Sequence, residues 1–417
     1  MSQAQLKNDL DCDLAIVGGG IVGTTLAAAL KASGLRILLI EAKTLEAAIA
    51  RPQAYAISLL SGRILKGIGV WDKILPRINK FKHIDLSDAD YPQTVQFETQ
   101  DLKTDELGYV GEHGVILEEL HRFLATCPNV EWLRPAQVTA VDYQEDKVEI
   151  AVEMNGETRK VRSRLLIGAD GARSRIRSWA KIKTKGWKYW QSCVATQIKH
   201  SAPRNDIAFE RFCDSGPMGV LPLPGNRVSI VWTAPHAEAK ALQNLSEAEF
   251  IAKLEQRMNG ALGKLELVRD PAGIRVAARA CFPVQLMQSD CYVKPRMALV
   301  GDAAHCCHPV GGQGLNLGIR DAAALAQTLA TAHQQGEDIG RLKVLKRYQS
   351  WRKRENWIIL GFTDILDRTF SNNFLPIVAA RRLGLWMLQN VRPLKIYALK
   401  LMTGLLGRKP VLSVNSD

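Results

Sequence analysis

The chain has 417 residues and no run of 18 or more apolar ones, so no bilayer-spanning helix is expected. It also lacks a cysteine framework. Cys12, Cys127, Cys193, Cys213, Cys281, Cys291, Cys306 and Cys307 are scattered without a repeating spacing, the pattern of reduced thiols rather than of disulfides. The opening residues 1–13 are polar and acidic and have neither the basic start nor the apolar core of a secretory signal. A cytoplasmic location is therefore expected. No internal repeat and no low-complexity tract occurs, and a balance of 47% hydrophobic to 23% charged residues excludes a disordered chain. Acids are the scarcer charge, 42 against 55 basic residues, and the imbalance is local. Between Arg341 and Pro410 stand fifteen Lys and Arg against three acids, a net +12 in a chain of net +13. Such a segment fits either nucleic acid or an anionic membrane surface.

What is present begins with a strand, helix and strand. Leu14-Ala15-Ile16-Val17 is a short apolar run suited to a parallel strand buried on both faces. Residues 21–32 are rich in Ala and Leu and stop at Gly34, as helices do. Arg36 to Glu41 forms the next strand. Leu165 to Gly168 and Met297 to Val300 are two further strands, each ending in a Gly/Asp turn. Between about Lys185 and Cys281, short β-like runs alternate with Pro and Gly. The segment 221–227 followed by Val228 to Trp232 reads as turn then strand. From about Leu315 onward the pattern is helical.

Three glycine-bearing segments carry the chemistry. The first contains Gly18, Gly20 and Gly23 in G-x-G-x-x-G spacing. The first glycine makes the tight turn, the second lets a pyrophosphate approach the backbone, and the third allows close helix–strand packing. The helix that follows aims its free N–H groups at the phosphates. Glu41, at the end of the next strand, can accept hydrogen bonds from ribose hydroxyls. This unit binds a dinucleotide, and by itself does not separate FAD from NAD. The second segment runs from Gly168 through Asp170 to Arg177, a strand end that opens into a helix. As a bare motif it is equally an ordinary turn. The third runs from Gly301 and Asp302 through His305 and Pro309 to Gly318. It delivers an acid at the C-terminal end of a strand, where α/β sheets bind ligands. A glycine-rich helix start follows at Gly314-Leu315-Asn316.

In this order the three segments resemble the class A flavoprotein aromatic hydroxylases. The stretch His308-Pro309-Val310-Gly311-Gly312-Gln313-Gly314-Leu315-Asn316 resembles their quinone-biosynthesis subfamily, as do Arg51 to Ser58 and Gly216 to Pro224. The similarity runs from about residue 12 to about residue 405. It implies an α/β fold like that of para-hydroxybenzoate hydroxylase: a Rossmann-like FAD-binding domain, an inserted antiparallel β-sheet substrate domain, and C-terminal helices. The FAD domain is expected over residues 1–72, 100–184 and 286–340, the substrate domain over 73–99 and 185–285, and a basic helical region over 341–417. The resemblance further implies FAD as cofactor and NAD(P)H as a transient reductant. Gly301 and Asp302 would hold the ribityl or pyrophosphate region. Asp170 would shape the FAD site and the nicotinamide path. Pro309 and Gly311, Gly312, Gln313, Gly314, Leu315 and Asn316 would flank the flavin ring. Arg51 and Arg122, the latter on a helix expected over 115–126, would contact FAD. The implied reaction adds oxygen from O2 to a prenylated phenol in the making of a ubiquinone- or plastoquinone-type quinone.

Two features invite other readings. His305-Cys306-Cys307-His308 looks like a metal cluster, but adjacent residues cannot all face one ion, and no second ligand pair at zinc spacing exists. No metal is expected. His305 is a candidate for proton handling or, more simply, a packed histidine, and no catalytic side chain is otherwise assigned because the flavin carries the chemistry. Residues 376–407 interleave Trp, Tyr, Leu and Met with cations, which suits a helix lying in a membrane interface. A docking helix or homodimer face has the same pattern. A peripheral membrane protein that binds no nucleic acid is expected, either alone or within a quinone-making complex. The alternatives are an FAD-dependent reductase of geranylgeranyl type and a non-catalytic flavoprotein scaffold.

Overall fold

The strand Cys12–Val17 lies between two parallel neighbours, Ile37–Ile40 and Glu157–Gly168, and this explains its unbroken apolar run. Leu14, Ala15 and Ile16 have no exposed surface and share one core with residues of the helices and of the antiparallel strands, such as Val138 and Ile150. The computed structural model describes residues 10–88, 94–269 and 279–414; the polar start at 1–9 lies outside them. The sheet order from one edge is Val293–Lys294, Met297–Leu299, Glu157–Gly168, Cys12–Val17, Ile37–Ile40 and Val130–Leu133. Gln137–Tyr143 and Val148–Met154 form an antiparallel extension on the long strand Glu157–Gly168. The register sets Val17 beside Ile40 and Gly168, and Gly168 beside Leu299. Four strands therefore end together, and the segments starting at Gly18, Glu41, Ala169 and Gly301 emerge from one edge.

The first helix, Ile21–Ala29, packs against the long helix Gln313–Gln334, and Gly318 makes the approach possible. A Cβ there would lie 2.6 Å from a Val22 methyl. The first helix is three residues shorter than its composition implies, since Leu30 already leaves helical geometry.

A second sheet is built from Thr184–His200, Ile207–Phe212, Met218–Leu223, Arg227–Pro235 and Ala280–Ser289, with His83–Asp88 and Thr94–Glu98 added at one end. The two-residue strand His305–Cys306 also joins it, so the third glycine segment reaches from one sheet to the other. Two helices, His236–Asn244 and Glu247–Met258, cover one face of this sheet. The second of them starts with a reciprocal capping box between Ser246 and Glu249.

Three helices complete the chain: Leu342–Phe370, Leu375–Asn390 and Arg392–Met402. Beyond them the chain returns to the core around the first sheet. The Leu412 carbonyl sits where a Cβ on Gly67 would be, 1.8 Å away. Among the described residues, no helix is long and apolar enough to cross a membrane.

Candidate cofactor and substrate site

The shared strand edge opens into a cavity of about 370 Å³ lined by Gly18, Gly19, Gly20, Glu41, Arg51, His113 and Asp170, among others. Each glycine of the first segment has a separate job. Gly18 turns at φ +113°, and a Cβ on it would lie 2.3 Å from the Ala169 carbonyl oxygen. A Cβ on Gly23 would lie 2.0 Å from the Gly18 oxygen, so Gly23 sets the helix–loop approach. A Cβ on Gly20 would meet no protein atom within 4 Å. The space beside Gly20 is a cradle for a ligand that touches main chain, as a pyrophosphate does. The helix after it has no side-chain cap, so its first N–H groups remain available to phosphate.

Glu41 accepts hydrogen bonds from Gly19 N–H at 2.7 Å through Oε2 and from Lys43 N–H at 2.9 Å through Oε1. These bonds fix the carboxylate at the mouth of the cavity. His121 supports the same loop from below. It is stacked on Trp132, its Nδ1 is 2.7 Å from Arg134, and its Nε2 is 3.4 Å from the Gly19 oxygen. Asp170 accepts from Arg175 and Ile176 N–H through Oδ2, while its Oδ1 is buried with no hydrogen-bond partner. An unpartnered buried carboxylate oxygen on a cavity wall is the mark of a ligand-facing group.

Tyr55 joins this cavity to the third segment. Its hydroxyl lies 3.4 Å from His113 Nδ1, and burial, with the Asp302 carboxylate nearby, pushes its pKa up to about 12. Asp302 lies deep in the protein yet keeps accessible surface, which places it on an internal wall. Burial, with Asp321 nearby, raises its pKa above the ordinary carboxylate value. The loop then turns through Gly311 and Gly312 into the helix Gln313–Gln334. Gly312, at φ +60°, sits so close to Ala56 that a Cβ would be 2.9 Å from the Ala56 Cβ. This helix also has no side-chain cap, and Gly314 and Leu315 at its start are partly accessible. Such an end suits the electron-rich edge of a reduced flavin.

The candidate residues divide by what they touch. Gly18, Gly20, Glu41, Arg51 and Asp170 line the cavity. Gly301, Asp302, Pro309, Gly311, Gly312, Gly314 and Leu315 form the adjoining loop and helix start. The Asn316 side chain is committed to protein: it accepts from Ser58 N–H and donates to the Ala56 and Gly312 carbonyls, each at 2.8 Å. Gln313 donates to the Gly311 and Met402 carbonyls. Both shape the loop. Arg122 is not brought to the cavity. Its helix, His113–Leu124, turns it outward, where it pairs with Glu118 at 2.6 Å and Glu119 at 2.9 Å.

The residues 305–308 diverge. His305 is 1% exposed and binds Asp321 at 2.6 Å. Asp321 also accepts from Arg352 at 2.8 Å, Asn356 at 3.0 Å and Gly301 N–H at 3.1 Å. Burial alone would raise the Asp321 pKa, but the His305 and Arg352 charges overcome it and hold it at about 2. His305 is thus an interior brace. His308 Nδ1 accepts from Val310 N–H at 3.2 Å. Its Nε2 lies 3.4 Å from Asp367, out of hydrogen-bonding line, and burial lowers its pKa to about 3. Cys306 Sγ points to the Asp302 carbonyl.

Sequence reasoning missed Tyr55, His113, His121 and Glu210. The first three gain their places through contacts between distant segments, which carry no local signal. Glu210 left one. In Ala208-x-Glu210-x-Phe212 the acid shares the face of two buried residues.

Comparison with known proteins agrees with this geometry. The family described as FAD binding domain matches residues 11–363. An uncharacterised protein of Synechocystis, slr1300, is 58% identical over 98% of this chain and 97% of its own. The ubiquinone hydroxylase UbiL of Rhodospirillum rubrum is 36% identical over 93% of this chain and 88% of its own. The crystal structure of p-nitrophenol 4-monooxygenase PnpA from Pseudomonas putida superposes with a TM-score of 0.77 at 20% identity, over 95% of this chain and 98% of that one, and so shares the fold. An open cradle at Gly20, an unpartnered oxygen on Asp170 and two uncapped helix ends fit FAD, and the chain belongs to the FAD-dependent aromatic hydroxylases, in the branch that holds the ubiquinone hydroxylases.

Proposed function

We propose that this protein hydroxylates the ring of a prenylated phenol on the route to a ubiquinone- or plastoquinone-type quinone, using NAD(P)H and O2. The observation that carries the substrate class is an apolar layer beside the flavin loop. Val310 of that loop packs with Phe212 and Leu223 of the second sheet and with Phe370, Leu385 and Leu399 of the C-terminal helices. Phe212 and Phe370 stack at 3.8 Å between centroids. Leu366 and Leu388 extend the layer outward. The buried members are packed against one another, and the partly exposed Leu221, Leu366 and Leu388 at their edge offer an isoprenoid tail an apolar surface. The name of the Rhodospirillum relative points to the same class.

FAD, when bound and reduced, supplies with O2 the oxygen atom that enters the ring. The protein's residues bind and position. Gly20 and the first helix end hold the pyrophosphate, Glu41 the ribose, and the start of the helix Gln313–Gln334 the ring edge. The apolar layer excludes water from the reacting centre.

The outer face of the C-terminal helices supports a membrane-borne substrate. Phe374, Leu375, Leu383, Trp386, Met387 and Tyr397 are exposed, with Arg392 and Lys400 among them. A second exposed group, Trp187, Trp190, Trp357 and Ile365, includes Arg368 stacked 4.7 Å over the Trp187 ring. Apolar side chains flanked by cations bind the interface of an anionic bilayer. The test uses the purified flavoprotein with anionic vesicles that carry a geranylated methoxyphenol. NAD(P)H consumption matched by one added ring oxygen is expected. Leu383→Glu with Trp386→Glu lowers vesicle binding and turnover of the vesicle-borne phenol, but spares a short-chain soluble analogue. Reductant oxidation with no ring oxygen inserted would refute the hydroxylase reading.

A further inference from the structure

Glu210 is an acid where the fold otherwise places apolar side chains. It lies on the strand Ile207–Phe212, on the face shared with Ala208 and Phe212. Its register partners are Gly219 on one side and Leu86 on the other, neither titratable. The face points toward the flavin loop, and Glu210 Oε2 accepts a hydrogen bond from Gly311 N–H at 3.3 Å. Among the described residues no partner reaches Oε1. The side chain lies deep in the protein yet keeps accessible surface. Its neighbours Gly219, Leu221, Gly311 and Gly312 are also partly accessible, so the gap between the second sheet and the loop is open at Glu210. Gly219 and Gly311 present backbone only, leaving room for a planar ring.

We propose that Glu210 is the residue that receives the ring hydroxyl of the substrate, accepting its hydrogen bond through Oε1 and taking its proton as the ring reacts. This rests on the hydroxylase reading above. In the transfer the O–H bond breaks, its electron pair stays on the phenolic oxygen, and the proton moves to the carboxylate. The resulting phenolate is the more electron-rich ring, which is what an electrophilic oxygen needs. Oε2 stays on Gly311 N–H, so the same carboxyl fixes the ring hydroxyl relative to the loop that flanks the flavin.

The surroundings leave Glu210 free to do this at neutral pH. Burial pushes its pKa up to about 7, with the Gly311 N–H the only opposing influence. The charged and titratable groups on the elements packed around it are otherwise engaged. Asp88, further along the strand of Leu86, is paired with Arg381 at 2.8 Å. The Cys193 thiol is pushed up to about 12 by burial. Asp367 is raised to about 6 by burial and faces Ser371 and His308.

Glu210→Gln is the test, because the amide keeps an acceptor for Gly311 N–H and so keeps the fold. Both proteins should purify yellow with equal FAD content. The deciding readout is binding of a geranylated methoxyphenol, followed by its perturbation of the flavin spectrum between pH 5 and pH 9, roughly two units either side of a pKa near 7. Above that pKa a charge-assisted hydrogen bond to carboxylate is worth about 1.5–3 kcal/mol, and the variant should bind roughly 10- to 100-fold more weakly. Below it, where Glu210 is protonated, the two affinities converge. The kcat/KM of hydroxylation should also fall by about 10²-fold or more, as for loss of a general base. Equal affinities at every pH, or a deficit that ignores pH, overturns the assignment and leaves the hydroxylase reading standing. A yellow wild-type protein whose spectrum no phenol perturbs overturns that reading, and the assignment with it.

Discussion

Gly20 and Gly23 stand three residues apart, and their substitution by alanine should fail in different ways. At Gly23 the new Cβ would lie 2.0 Å from the Gly18 carbonyl oxygen. That neighbour is backbone and cannot rotate away. Overpacking of this kind costs about 3 kcal/mol, at the upper end of the usual range. With an unfolding entropy of about 2.1 cal/mol/K per residue over the whole chain, the melting temperature drops by about 3 °C. At Gly20 no protein atom lies within 4 Å of the new Cβ, and φ −75°, ψ 179° is open to alanine. The change sacrifices part of glycine's advantage at a helix N-cap and gains about 0.4–1 kcal/mol from a stiffer unfolded chain. Apoprotein stability therefore stays within about 1 kcal/mol. The methyl does enter the space where the pyrophosphate approaches. A steric loss of about 2 kcal/mol in the complex alone weakens FAD binding roughly thirtyfold. The assay pairs thermal melts of the FAD-free proteins with a flavin-fluorescence titration. A Gly20→Ala protein that binds FAD as tightly as the wild type would refute the placement of the cofactor against this loop. So would one that loses stability in step with affinity.

Asp321→Ala should destabilise the protein by about 3–5 kcal/mol, because Arg352 and His305 lose their shared buried counter-charge. Since the Asp321 pKa is held at about 2, below its ordinary value of 3.8, the stability it lends is complete above pH 4 and fades as pH falls toward 2. Asp321→Asn should flatten that part of an acid-unfolding curve, and an unchanged acid limb would show the pairing to be worthless. Arg51→Ala should weaken FAD roughly tenfold, the value of one charge-assisted contact, whereas Arg122→Ala should leave the FAD titration unaltered. The reverse pattern would mean that the helix His113–Leu124 rotates when FAD binds.

The FAD side of the fold was legible because its signals are local. Apolar strands ending in glycine or aspartate at 17–18, 168–170 and 299–302 do lie side by side, and the parallel register makes their ends meet. Arg122 sits away from the cavity for an equally local reason: acids three and four residues earlier on its own helix pair with it. The helices His236–Asn244 and Glu247–Met258 went unanticipated inside a region read as β, although Ser246 and Glu249 spell a capping box. Tyr55 and His113 could not be found from sequence spacing. They meet only because the strand Ala54–Ser58 pairs with Gly108–Glu112.

The basic C-terminal segment shows why a charge count is not a charge map. Several of its cations are matched by acids from elsewhere in the chain: Arg352 by Asp321, Arg381 by Asp88, Lys395 by Asp101 and Arg347 by Glu337. The first three pairs turn inward, so they fasten the segment rather than project a field. Arg352 reaches Asp321 and through it His305. Asp364 and Asp367 on the same long helix face Tyr189 and His308. The segment leading into Pro309 is thus held at two points by the helix Leu342–Phe370, which continues into the helices whose outer face exposes Leu383 and Trp386. What the sequence presents as a basic appendage is in large part packed against the rest of the chain. Ten of its fifteen cations nevertheless remain exposed, among them Lys343, Lys346, Arg354, Arg392, Lys400 and Lys409. On the membrane-binding reading proposed above, their attraction to anionic lipid is sensitive to salt. The exposed apolar ridge adds to that attraction, so raising ionic strength and replacing Leu383 and Trp386 should each weaken vesicle binding.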